Sequence, residues 1–81
     1  MNKLILPQQA VNVNSTAIDS AGYMYETYTM RITFKNGRKY DYTKVPNHVF
    51  EGLRASESKG KFINKYVLNR YSFNYVNSKS E

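Results

Sequence analysis

The clearest pattern in the chain is an alternation of apolar and polar residues on both sides of an Asn36-Gly37 pair. A period of two is typical of strands with one buried face, and Asn-Gly is a strong hairpin signal. The segment 27–46 therefore predicts a β-hairpin that leads through Val45-Pro46 into the second half of the chain. Its alternating apolar residues are Met30, Ile32, Phe34, Tyr40 and Tyr42.

Two registers are possible for this hairpin, and the apolar pattern decides between them. A two-residue turn pairs Phe34 with Lys39, which mixes the two faces of the sheet. A three-residue loop ending at Gly37 keeps the apolar residues on one face and gives the glycine the positive φ that it tolerates. The second register predicts the pairs Phe34–Arg38, Ile32–Tyr40 and Met30–Tyr42 on one face, and Thr33–Lys39, Arg31–Asp41 and Thr29–Thr43 on the other.

The pattern before the hairpin is weaker. Residues 1–12 are interpreted as a leader whose apolar residues can dock on the domain, and Val11 and Val13 give only a weak strand signal. A strand is predicted from Ser15 to Tyr25, bent near Gly22, because a glycine within a strand often marks a bulge. With the hairpin, this strand makes a three-stranded meander, one face of which must be covered.

The second half of the chain predicts the cover. Pro46 suits the first position of a helix that ends near Ala55, and Gly52 within it indicates close packing. Ser58 suits the N-cap of a second helix. The stripe of this helix expected to dock on the sheet is Phe62, Ile63, Tyr66, Val67 and Arg70 or Tyr71. Residues 72–81 are either a short added strand or a tail. The predicted fold class is α+β, a three-stranded antiparallel β-meander followed by two short helices packed on one face.

Length and composition narrow the class of protein. Eighty-one residues make one domain, expected over residues 13–71, and the absence of cysteine excludes a disulfide scaffold or a thiolate zinc site. Leu4-Ile5-Leu6 stops at Pro7 and is too short for a signal peptide or a membrane span. We expect a soluble cytoplasmic protein without membrane attachment, either monomeric or a small homo-oligomer.

Charge suggests an anionic partner. Twelve Lys and Arg against six Asp and Glu give a net charge of +6, which favours polyanions, although a small domain can carry charge for solubility alone. The Ser58-Lys59-Gly60 segment is the best phosphate candidate, because amides at a helix N-terminus attract anions. Alternatively, Ser58 only caps the helix and Gly60 only permits close packing. The candidate nucleic-acid-binding residues are Lys35, Arg38 and Lys39 at the hairpin tip and Lys59, Lys61 and Lys65 near the start of the second helix.

The eight tyrosines are candidates for stacking on unpaired bases, each stack contributing ~1–3 kcal/mol. Tyr40, Tyr42 and Tyr66 share faces with aliphatic residues, so we expect them in the core, with their hydroxyls at its edge or on a buried acceptor. The tyrosines without an assigned interior, and therefore the candidates for stacking, are Tyr23, Tyr25 and Tyr75.

No group of residues indicates catalysis. His48 is the only histidine, it lies in the first turn of a predicted helix, and no carboxylate pair is predicted beside it. The six acids are scattered over different elements, without the spacing of a metal cluster. We therefore expect no enzymatic activity, no metal and no cofactor.

Several short motifs occur in a fixed order between residues 13 and 71. They are Ser15-Thr16-Ala17-Ile18, Gly22-Tyr23, Met30-Arg31-Ile32-Thr33-Phe34 with Gly37, Tyr40-Asp41-Tyr42, Val45-Pro46, and Ala55 with Ser58, Gly60, Phe62, Asn64 and Tyr71. Their order and spacing resemble the KTSC domain, a module named for its occurrence at the C-terminus of some lysyl-tRNA synthetases and also found alone in small bacterial and phage proteins. The chain departs from the pattern at Met24, where many relatives have an acidic residue.

The resemblance implies a β-meander followed by two helices, in agreement with the residue pattern, and implies no established activity. The attachment of the module to a tRNA-charging enzyme suggests RNA binding by association only. Two hypotheses follow. The first is a small, basic, non-enzymatic module that binds RNA or another single strand in preference to duplex DNA. The alternative is a protein–protein interaction module, such as a phage or mobile-element adaptor or inhibitor that meets an acidic surface of a host protein.

Overall fold

The protein is described by a computed structural model covering residues 9–76. A single antiparallel sheet contains five strands in chain order, and two helices stand between the fourth and fifth strands. The elements are β1 (Gln9–Asn12), β2 (Ile18–Met24), β3 (Thr29–Phe34), β4 (Lys39–Tyr42), α1 (Asn47–Ala55), α2 (Lys59–Tyr66) and β5 (Phe73–Val76). The α+β class is confirmed, but the sheet has five strands where three are predicted. The expected docking of Leu4-Ile5-Leu6 lies outside the described residues.

The β3–β4 hairpin has the predicted register. Ile32 lies opposite Tyr40 and Arg31 opposite Asp41, and the Phe34 amide donates a 2.8 Å hydrogen bond to the carbonyl of Arg38. Gly37 has φ = 92°, the left-handed conformation that a three-residue loop requires. Arg31 Nε lies 2.7 Å from Asp41 Oδ1, so a cross-strand ion pair supports the register on the face away from the helices.

The two edge strands correct the sequence analysis. Residues 9–12, assigned to a leader, form β1 and pair with residues 20–23 of β2. The segment left open as strand or tail contains β5, which pairs with β4. The irregularity in β2 lies between Ile18 and Ser20 and not at Gly22, which pairs regularly with Arg31.

Helix α1 lies within one residue of its predicted bounds. Helix α2 ends earlier than predicted, with Val67 as its C-cap. Arg70 and Tyr71, assigned as alternatives to its stripe, lie beyond the helix because the backbone turns left-handed at Asn69, with φ = 70°. Pro46 is the N-cap of α1, one residue before the helix. Ser58 is the N-cap of α2, although its side chain makes no capping hydrogen bond. The predicted close packing of Gly52 is confirmed, because a Cβ there would lie 3.0 Å from Cζ of Phe62 on α2.

The core lies between the helices and the central strands. Ile63 and Val67 are both fully buried, which confirms the inner part of the predicted α2 stripe. Tyr66 is 41% exposed and packs beside Phe62 at the outer side of that stripe, so its assignment to the core is wrong. The buried apolar residues are Ile18, Ala21, Tyr23, Met24, Met30, Ile32, Tyr42, Val45, Val49, Phe50, Leu53, Ile63 and Val67.

Candidate nucleic-acid interface

One end of the sheet gathers part of the predicted basic surface. The tip of the β3–β4 hairpin meets the loop 13–18, because Lys35 donates from its amide to the Ala17 carbonyl at 2.8 Å and from Nζ to Asn14 Oδ1 at 2.8 Å. The same loop and the start of α2 line one open pocket, to which Lys59 and Lys61 contribute. Lys35, Lys59 and Lys61 therefore surround a single loop.

The other three predicted cations lie elsewhere. Lys39 pairs with Thr33, which places it on the sheet face opposite the helices. Lys65 lies in the last turn of α2, with Nζ 5.4 Å from the ring centre of Tyr66. Arg38 is exposed at the hairpin tip and lines a groove beside Tyr40. The six cations thus do not form one continuous surface.

Close packing against the loop 13–18 explains the glycine in the first turn of α2. A Cβ at Gly60 would lie 2.6 Å from Cβ of Ser15, so glycine permits the loop to contact the helix. Lys59 Nζ already donates to the Ser56 carbonyl at 2.9 Å, and Glu57 lines the same pocket as Lys59 and Lys61. The geometry favours the alternative in which Gly60 serves close packing. Because Lys59 is held by its hydrogen bond to Ser56, Lys61 is the lysine of this segment that is more available to bind a phosphate.

Two of the three tyrosines expected to be available for stacking are held by the core. Tyr23 is fully buried, its ring stacks on Phe50 at 5.1 Å, and its hydroxyl donates to the carbonyl of Val45. Burial also raises the pKa of the Tyr23 phenol. Tyr23 cannot meet a base, so its assignment is corrected. Tyr25 is half-buried and donates a 3.0 Å hydrogen bond to Glu51 of α1.

Tyr75 belongs to an exposed aromatic surface that the sequence analysis did not assemble. It is 57% exposed and Phe73 is 55% exposed, and both lie on the sheet face that carries the core because Phe73 pairs with the buried Tyr42. Tyr40 lies between them and Phe34, with ring-centre distances of 5.4, 5.5 and 5.7 Å to Phe73, Tyr75 and Phe34 respectively. We call these four residues the aromatic patch.

Phe73 and Tyr75 are the exposed part of the aromatic patch, because the helices cover only part of the sheet, and the other two rings of the patch are half-buried against the core. Ala21 on β2 and Ile32 on β3 are each at most 1% exposed beneath the helices. Tyr75, in line with them on β5, is more than half exposed. The one sequence signal for this surface is the alternation of Phe73 and Tyr75, which marks one face of a strand once β5 is assigned.

Arg38 forms a cationic rim at the hairpin end of the aromatic patch. It lines a shallow groove of about 350 Å³ together with Phe34, Asn36, Tyr40, Tyr42 and Phe73. The two ion pairs found within residues 9–76 are Arg31–Asp41 and Arg54–Glu51, so no described carboxylate neutralises Arg38. A guanidinium beside exposed aromatic rings suits a ligand that carries both flat apolar groups and negative charge.

Among the described residues, no group of three or more His, Asp or Glu side chains is placed to hold a metal ion. None of the described helices has the length and apolar character needed to cross a membrane.

The fold and the ordered motifs define the family. The profile of the KTSC domain matches residues 14–71, and the chain belongs to the KTSC domain family. A crystal structure of a KTSC domain protein from Yersinia pestis superimposes with a TM-score of 0.75 at 26% identity, covering 85% of this chain and 97% of that one.

Sequence relatives include both a small protein and much larger enzymes. A protein from Tsukamurella paurometabola is 41% identical over 59 residues, which are 73% of this chain and 88% of that protein. A lysine–tRNA ligase from Nostoc punctiforme is 36% identical over 58 residues, 72% of this chain but only 10% of the ligase. The likeness to the ligase thus concerns a small part of that enzyme.

Proposed function

We propose that this KTSC protein is a non-enzymatic cytoplasmic module that binds single-stranded nucleic acid, RNA in particular. The observation that carries the proposal is the aromatic patch, with Phe73 and Tyr75 more than half exposed on one face of an edge strand and Arg38 beside them. The preference for RNA rests on the relatives named as lysine–tRNA ligases.

Exposed rings on a sheet suit unpaired bases. Every base has a flat π-face, and stacking on an aromatic side chain contributes ~1–3 kcal/mol without requiring a particular sequence. Small RNA-binding sheets stack two or three bases on aromatic residues in this way. Bases inside a duplex are already stacked on each other, so the aromatic patch supports a single strand over a duplex.

Positive charge near the aromatic patch is the second observation that supports the proposal. Arg38 lies at the rim of the aromatic patch, and Lys35 lies on the same hairpin tip, next to the loop that Lys61 also approaches. A phosphate backbone that leaves the patch at this end would meet positive charge. Each phosphate neutralised contributes about 0.7 to the logarithmic salt slope for a single strand, so binding should weaken steeply with salt.

The test is a fluorescence anisotropy titration with labelled single-stranded RNA octamers at several salt concentrations. Replacing Phe73 or Tyr75 by Ala should weaken binding by about 1–3 kcal/mol, roughly 5- to 150-fold in Kd. Tyr66→Ala is the matched control, since it removes an exposed ring outside the aromatic patch. Equal affinity in all three variants, or binding that is flat in salt, would contradict the proposal.

A second candidate function is favoured by the chemistry of β5. The strand Phe73-Asn74-Tyr75-Val76 is an edge of the sheet and carries no charge, whereas edge strands are commonly protected by charged residues or proline. An extended segment of a host protein could pair with it and use the aromatic rings as anchors. Pull-down from lysate with and without nuclease separates the candidates, because only a protein partner is retained after nuclease treatment.

A further inference from the structure

A pocket lined by two cations lies at the end of β4 opposite to Arg38. It is an open pocket of about 460 Å³ lined by Thr43, Lys44, Arg70, Tyr71 and Ser72. These five residues, which we call the cationic pocket, supply two cations and three hydroxyls, and none of them is acidic. The Thr43 amide donates to the Ser72 carbonyl at 2.9 Å, so the two chain segments that build the pocket are joined.

The backbone holds Lys44 in an unusual conformation. Lys44 has φ = 58°, the left-handed region, which costs a residue with a side chain roughly 1–2 kcal/mol. The loop is tied on its far side, because the Val45 amide donates to the Tyr28 carbonyl at 2.8 Å. Lys44 itself is exposed. Backbone outliers of this kind cluster at ligand-binding positions, and the outlier at Lys44 lies in the lining of the cationic pocket.

Hydrogen bonds to carbonyls a few residues earlier in the chain orient Arg70. Its Nε donates to the Lys65 carbonyl at 3.3 Å, and its amide donates to the Val67 carbonyl at 3.1 Å. Neither Arg70 nor Lys44 takes part in the ion pairs found within residues 9–76. Within the described part of the chain the two terminal amino groups of Arg70 are thus left for a ligand, and a guanidinium fork matches the oxygens of a phosphate.

The aromatic patch lies between the two cationic ends. The six residue-to-residue steps from Arg38 to Lys44 span about 20 Å at the usual rise of a strand. Ser72, which lines the cationic pocket, directly precedes Phe73 of the aromatic patch. A stacked strand rises about 3.4 Å per nucleotide, so a strand of roughly six nucleotides reaches from Arg38 to the cationic pocket.

We propose that Lys44 and Arg70 form a phosphate-binding site, and that this site holds the backbone of the single strand at the end of the aromatic patch opposite Arg38. The assignment of the phosphate to a nucleic-acid strand rests on the proposed function. The site itself requires only the geometry of the cationic pocket, so the two claims can fail separately.

The first experiment measures affinity against length for single-stranded RNA of three, six and eight nucleotides, with the double variant Lys44→Gln/Arg70→Gln. Wild-type affinity should rise to about six nucleotides and then level off, following the ~3.4 Å rise per nucleotide. The variant should lose the gain beyond three nucleotides, and its salt slope should fall by about 1.4, the sum for two phosphates. Lys59→Gln with Lys39→Gln is the control, since it removes the same charge at residues that line neither the groove beside Arg38 nor the cationic pocket.

The second experiment titrates inorganic phosphate into ¹⁵N-labelled protein and follows the amides of residues 43, 44 and 70–72 by NMR. Saturable shifts there, absent in the double variant, support the site. If RNA binds but the double variant matches the charge control in both experiments, the site is overturned and the proposed function stands. If RNA does not bind, phosphate shifts support the anion site alone, and their absence overturns it. Circular dichroism confirms that the variants fold.

Discussion

At the scale of single residues, the core of this protein includes a polar group with a fixed partner. Tyr23 is completely buried, yet its hydroxyl donates to the Val45 carbonyl, so a carbonyl in the loop before α1 is satisfied from inside the sheet. The sequence could not identify this role. Gly22-Tyr23-Met24-Tyr25 has no clear alternation, and the burial of Tyr23 depends on Phe50, a residue distant along the chain that stacks on it.

Tyr23→Phe is expected to destabilise the protein by about 1–3 kcal/mol at neutral pH, because the buried Val45 carbonyl loses its donor. Burial raises the pKa of Tyr23 in the folded state, so the neutral phenol stabilises the fold below the ordinary tyrosine pKa of about 10. That contribution is lost as pH rises through the folded pKa. The difference between wild type and variant should therefore shrink above about pH 10.

Urea unfolding of both proteins from pH 7 to pH 11 checks this expectation. Tyr42, whose pKa burial also raises, stays in both proteins and cancels from the comparison. A difference that is constant over the whole range would show that Tyr23 ionises as easily in the folded state as in the unfolded state.

Gly60 and Gly52 provide a second residue-scale prediction. A Cβ at Gly60 would meet the Cβ of Ser15 at 2.6 Å, whereas one at Gly52 would meet the ring end of Phe62 at 3.0 Å. Gly60→Ala should destabilise by about 1–3 kcal/mol, because the loop must move. Gly52→Ala should be nearly neutral, because the ring can shift and alanine gains about 1 kcal/mol of helix propensity.

Urea unfolding of the two alanine variants gives the comparison directly. Adding Ser15→Gly to Gly60→Ala should recover part of the loss, measured as a coupling energy in a double-mutant cycle. Equal stability of Gly60→Ala and Gly52→Ala would contradict the close contact between loop and helix.

At the scale of elements, the sequence predicts those structures whose determining residues lie close together along the chain. The β3–β4 hairpin was predictable to the residue pair, because its alternation and its turn glycine lie within a few residues of each other. The starts of the helices were predictable from proline and serine, whereas the end of α2 at Tyr66 was not, because the apolar spacing continues beyond it. The edge strands β1 and β5 were less predictable, because each has only four residues and pairs with a single neighbouring strand.

Gly37→Ala tests the hairpin register. Nothing lies within 4 Å of the position that a Cβ would occupy at Gly37, so only the left-handed backbone, at φ = 92°, opposes the change. The expected loss is about 1–2 kcal/mol in the free energy of unfolding. Gly37→Asn should lose less, because asparagine tolerates this conformation better than alanine. A neutral Gly37→Ala, measured by urea unfolding, would argue against the three-residue loop.

At the scale of the whole molecule, the candidate site arises from incomplete coverage of the sheet. The helices bury the middle strands and leave the rings of β5 exposed, and the aromatic patch is assembled from residues of three strands, β3, β4 and β5. This explains why the sequence identified Tyr75 but not its neighbours. Phe34 and Tyr40 look like core residues in a hairpin, and in the structure they are half-buried, packed against the core on one side and against the rings of the aromatic patch on the other.

The distribution of positive charge over the surface also depends on the whole fold. The cations that the sequence groups by proximity along the chain are divided by the fold, with Lys39 on the face opposite the helices and Arg38 beside the aromatic rings. Lys44 and Arg70, which no sequence pattern groups, line one pocket. The fold thus places positive charge at both ends of the aromatic patch.

The most direct measurement of the central claim is an NMR footprint of a single-stranded RNA octamer on the ¹⁵N-labelled protein. We predict saturable shifts at Arg38, Tyr40, Phe73 and Tyr75, with small changes on the opposite face around Arg31 and Asp41. An equal concentration of the corresponding duplex should give weaker shifts. Shifts confined to the Arg31–Asp41 face, or equally strong effects of the duplex, would contradict the account.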